Sequence, residues 1–105
     1  MKKLHVAIAI ISLLPLSACA TGEVPTPEEI KQENAENRAR QLVRVGDATK
    51  AGGDAASALA FYERARLKQP DWPEPYGRIG DTALALGMAE EAAAAFTRLT
   101  ELTPN

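Results

Sequence analysis

Apolar positions recur at helical spacing in two stretches of this chain, and the second stretch repeats the first. Leu42, Val45 and Ala48 mark one helical face, and Tyr76, Ile79 and Ala83 mark another. Downstream of each, Ala58, Tyr62 and Ala65, then Ala92, Phe96 and Leu99, fall at i, i+4 and i+7, one buried stripe per helix. Laying Leu42-Val43-Arg44-Val45-Gly46-Asp47 on Tyr76-Gly77-Arg78-Ile79-Gly80-Asp81 fixes an offset of 34 residues. Without a gap, the same offset carries Gly53 onto Gly87, Ala58 onto Ala92, Tyr62 onto Phe96, Arg64 onto Arg98 and Pro70 onto Pro104. The pattern predicts an all-α chain built from two copies of one helix–turn–helix unit.

The residues between the stripes punctuate the units. Gly46 and Gly80 stand inside the first helix of each copy, where glycine costs about 1 kcal/mol relative to alanine. A packing requirement offsets such a cost. Gly53 and Gly87 fall in the turns, where a left-handed backbone suits glycine, and Asp54 is placed to cap the helix that follows. Pro70 and Pro104 close the units. Asp71 stands three residues before Glu74, the spacing of a capping box, and Trp72 is expected to pack in the corner between copies.

With these residues in phase, residues 39–104 resemble the tetratricopeptide repeat family, in two copies at 39–70 and 71–104. The resemblance implies an α-solenoid. In that family the helical glycine lets the second helix approach the first, and the first helices line a concave groove that holds a peptide.

The chain begins with a targeting pattern. Met1, Lys2 and Lys3 are followed by an apolar run from Leu4 to Leu14, too short to span a bilayer and typical of a secretory signal. Leu16-Ser17-Ala18-Cys19 resembles a bacterial lipobox, which implies cleavage after residue 18 and acylation of Cys19. Several acyl chains at about 0.8 kcal/mol per buried methylene make a stable anchor. Cys19 is the single cysteine, so no intrachain disulfide can form. The absence of Asp after Cys19 favours the outer membrane over the inner by analogy with enteric sorting. Residues 19–26 then read as a tether and residues 27–38 as a polar helical extension. Thr26 and Glu29 stand in capping-box spacing around Pro27 at the first helical position.

Charge and composition narrow the chemistry. Loss of Lys2 and Lys3 with the signal takes the formal charge from −2 to −4, a mildly acidic body without the basic patch that nucleic acid requires. The single histidine, His5, lies in the signal. The sequence offers no Cys/His nucleophile, zinc ligand set or phosphate loop, so no enzyme activity, cofactor, metal or small-molecule substrate is expected.

Two surfaces are candidates for binding. Arg40, Arg44, Asp47, Lys50, Arg78 and Asp81 lie on the first helices, where the resemblance places the groove, and their arginines suit bidentate pairing with partner carboxylates. Arg44 and Arg78 can equally pair with Asp47 and Asp81 three residues on within each helix. Repeat solenoids ordinarily need about three units and a polar cap. An apolar end made by Ala95, Leu99 and Leu102 is therefore expected to be covered by self-association, a partner or the N-terminal helix.

The whole reads as a lipid-anchored periplasmic adaptor. It resembles the lipoproteins of tight-adherence (Flp) pilus assembly, which implies a secretin, pilus or assembly subunit as partner. The alternative is a scaffold for outer-membrane protein insertion or for cell-wall enzymes.

Overall fold

The computed structural model describes residues 22–104. They form four helices: α1 (Pro27–Ala51), α2 (Ala55–Lys68), α3 (Glu74–Ala85) and α4 (Ala89–Leu102). The fold is all-α, with no strand among the described residues. The expected signal segment and Cys19, the expected acylation site, lie outside them. None of the helices among the described residues is long and apolar enough to cross a membrane.

Within residues 22–30, the predicted capping box opens α1. The Glu29 backbone N–H donates to Thr26 Oγ1 at 3.3 Å, and the Thr26 N–H donates to Glu29 Oε2 at 2.6 Å. The extension at 27–38 runs directly into the first repeat helix, since α1 is unbroken from Pro27 to Ala51. Most of its first three turns are exposed, as their sparse apolar residues predict.

Lys31–Asn105 forms one compact unit containing two helical hairpins. Each hairpin turns by the same device. The N–H of Gly53 donates to the carbonyl of Lys50 and that of Asp54 to the carbonyl of Thr49, at 2.9 and 3.1 Å. In the second hairpin, Gly87 donates to Leu84 and Met88 to Ala83, at 3.0 and 2.8 Å. These are paired Schellman closures, and they need the positive φ of 96° at Gly53 and 77° at Gly87. Asp54 then caps α2 by accepting from the Ser57 N–H at 3.0 Å. Met88, its counterpart, makes no such bond.

The helical glycines explain themselves in the packing. A Cβ on Gly46 would lie 2.6 Å from the Tyr62 ring, and one on Gly80 would lie 2.5 Å from the Phe96 ring. Each aromatic therefore sits directly against a bare stretch of backbone on the opposite helix. Ala58, Ala65 and Ala92, all at most 1% exposed, keep the remaining contact short.

Two expectations need correction. The packed side of α1 is Ala39, Val43 and Gly46, not Leu42, Val45 and Ala48. Leu42 is half-buried, Ala48 is exposed and Val45 is 40% exposed. The counterparts of Leu42 and Val45 in the second hairpin, Tyr76 and Ile79, are buried because α2 packs against α3. The same residue pattern is covered in one copy and open in the other. The second correction concerns Asp71. Helix α3 starts at Glu74 with no side-chain cap bond, and Pro75 lies in its first turn. Asp71 is turned to Arg98 at 3.1 Å, and Glu74 to Arg78, so the capping box does not form.

Gly80→Ala should lower unfolding stability by about 1–3 kcal/mol, because the added methyl collides with a held ring. Gly77→Ala meets only Leu99 Cδ2 at 3.6 Å, an ordinary contact, so the helix-propensity gain of up to about 1 kcal/mol should remain. Urea unfolding of the two variants beside the parent checks the opposite signs.

Candidate functional site

The six polar residues expected on the first helices are divided by the fold into a joined set and an open set. Arg40, Arg44 and Asp47 follow i, i+4 and i+7 along α1, with Lys50 one turn beyond Asp47. Arg78 and Asp81 occupy the matching positions of α3.

Asp47 and Arg78 meet across the two hairpins, not within their own helices. Arg78 Nε donates to Asp47 Oδ1 at 2.8 Å, and its Nη1 donates to Glu74 Oε2 at 2.5 Å. The Tyr62 hydroxyl donates to the same Asp47 oxygen at 2.5 Å. The aromatic that packs on Gly46 thus also aims the carboxylate at the second hairpin. The expected in-helix pairs, Arg44 with Asp47 and Arg78 with Asp81, do not form. Asp47 is already held from two sides, and Arg78 turns to Asp47 and Glu74.

The local charges answer to this geometry. Partial burial pushes the Asp47 carboxyl up, but hydrogen bonds from Arg78 and Tyr62, with the charges of Arg78 and Lys50, outweigh it and hold it below the usual range. Burial, followed by the bond to Asp47, raises the Tyr62 phenol well above its ordinary value. The Asp47 bond, against partial desolvation, raises the Arg78 guanidinium.

Arg40, Arg44, Lys50 and Asp81 are exposed and form no ion pair among the described residues. These four are the groups free to meet a partner. Of the four, Asp81 lines an open cleft of about 530 Å³, together with Pro73, Glu74, Gly77, Arg78 and Leu99.

The apolar end is only partly as expected. Leu99 and Leu102 are half-buried, and Leu99 faces the open cleft. Ala95 is 6% exposed and belongs to the core with Ile79, at the junction of the hairpins. It is not part of an open end. Trp72 packs against that core, half-buried, in keeping with the corner position read from the sequence. Pro70 and Pro104 lie exposed just past the caps of α2 and α4.

No three His, Cys, Asp or Glu side chains among the described residues cluster as a metal would require. The charged groups lie on open helix faces, an arrangement suited to recognising another macromolecule's charges. The chain matches no family model and no curated protein.

The lowered Asp47 carboxyl gives a signed pH dependence. A carboxylate held below its unfolded value stabilises the fold above that value, and the contribution is lost as pH falls through the folded one. Asp47→Asn should therefore be less stable than the parent at pH 7. The gap should begin to narrow near the ordinary carboxylate value, about pH 4, and shrink further as the pH falls through the lowered folded value. Chemical denaturation of both proteins at pH 7 and pH 3 reads it directly.

Proposed function

We propose that the chain is a lipid-anchored periplasmic adaptor built on two tetratricopeptide-type units, holding another envelope protein during assembly of a secretion or pilus machine. The observation that carries this reading is the in-phase recurrence of the Gly–aromatic helix contact and the Schellman turn at an offset of 34 residues. It is joined in one chain to the lipobox-like Leu16-Ser17-Ala18-Cys19. The tight-adherence pilus lipoproteins combine the same two features, and by that resemblance the partner is a secretin, pilus or assembly subunit.

The free cations Arg40 and Lys50 are the groups offered to the partner's carboxylates. Their exposure places any pair they make at a polar rim, which sets recognition and association rate more than affinity.

Cys19→Ser should move the chain from the membrane pellet to the soluble periplasmic fraction, read by fractionation. Crosslinking of the acylated parent in its own membrane should capture a secretin or pilus subunit identified by mass spectrometry. Arg40→Glu/Lys50→Glu should lose that capture while keeping its helical spectrum. Recovery of cell-wall enzymes in place of a secretin or pilus subunit would refute the pilus-type role.

A further inference from the structure

The junction between the two hairpins has two halves, and each half is presented a second time without a mate among the described residues. On the first hairpin, the half that receives α3 includes Ala39, Val43 and Ala65, at 0%, 4% and 0% exposure. Their counterparts 34 residues on are Pro73, Gly77 and Leu99, which are half-buried and line the open cleft of about 530 Å³. On the second hairpin, the half that inserts is Tyr76, Ile79 and Ala95, at 7%, 2% and 6% exposure. Their counterparts are Leu42, Val45 and Phe61, which line another open cleft, of about 470 Å³. The covered residues show what fits on each face, because each face has a covered copy in the same molecule.

The polar edge follows the same rule. Arg78 on the inserting half pairs with Asp47 on the receiving half at 2.8 Å. Their counterparts are Arg44 on the open inserting face and Asp81 on the open receiving face, both exposed and neither in an ion pair among the described residues. The charges around them are complementary. The cleft at Leu42 and Val45 is lined by Arg38, Arg64 and Lys68 with no acid. The cleft at Gly77 and Leu99 carries Glu74 and Asp81, with Arg78 already committed to Glu74 and Asp47.

We propose that a second copy of this chain docks head-to-tail on these faces, so that Leu42 and Val45 of one copy fill the cleft at Gly77 and Leu99 of the next and Arg44 meets Asp81. The contact is heterologous, and each added copy exposes the same pair of faces again. Gly77 in place of Val43 leaves room in the receiving cleft, and Leu99 in place of Ala65 restores apolar surface to its wall. The inference is independent of the envelope role, since it concerns how copies meet each other and not which partner they hold.

The experiment is sedimentation equilibrium of the full chain in detergent, for the parent, Arg44→Asp, Asp81→Arg and an equimolar mixture of the two variants. The parent should associate with rising concentration. Each variant alone places like charges opposite each other and should associate about tenfold more weakly or worse. The mixture restores an opposite-charge pair at every contact and should recover the parent's association. That rescue cannot come from a chain that has failed to fold, and circular dichroism of each variant provides a direct check. A parent that stays monomeric, a variant that associates as the parent does, or a mixture that fails to recover overturns the proposal.

Discussion

The structure depends on how closely two helices can approach when one contributes no side chain at the point of contact. Gly46 and Gly80 leave backbone bare, and Tyr62 and Phe96 lie against it. Close approach buries the Tyr62 ring almost completely and the Phe96 ring in part, in a thin layer rich in alanine, so a small domain gains burial without needing large side chains on both sides. The costs are an unfavourable residue inside each helix and an intolerance of any added methyl there. Both hairpins meet them at the same position, which is why the repeat is visible at all.

The two aromatics differ by one oxygen, and that oxygen organises the junction. The Tyr62 hydroxyl fixes Asp47, and Asp47 receives Arg78 from the next hairpin. Phe96 has no hydroxyl to offer Asp81. The packing contact is repeated while the polar contact built on it occurs once. Arg44 and Asp81, the same residue types, stay unpaired because no further hairpin among the described residues faces them.

Much of this fold was legible in the residues. The offset of 34, the turn glycines, the Asp54 cap, the Thr26–Glu29 box and the aromatic stripe of α2 and α4 are local or periodic signals, and short-range geometry settles them. The errors share a different character. Leu42, Val45 and Ala48 form a regular apolar stripe, but whether it is covered depends on a neighbouring hairpin that exists for α3 and not, among the described residues, for α1. Asp71 and Glu74 have capping-box spacing, yet tertiary partners Arg98 and Arg78 claim both carboxylates. Arg44 and Asp47 are three apart, and Asp47 and Arg78 are 31 apart, the repeat offset less three. In a phased repeat the two pairings use identical residue types, so spacing alone cannot separate them. The tyrosine opposite Asp47, where the second copy has phenylalanine, was the one signal that could have.

Arg78 serves two carboxylates at once, Glu74 on its own helix and Asp47 on the other hairpin. If the hairpins separate slightly, the guanidinium gives up Asp47 and keeps Glu74, and Asp47 keeps the Tyr62 hydroxyl. No charge is stranded on either side. The junction is therefore a place where the two hairpins can pivot at low electrostatic cost, with the rigid Gly–aromatic contact inside each hairpin left unchanged.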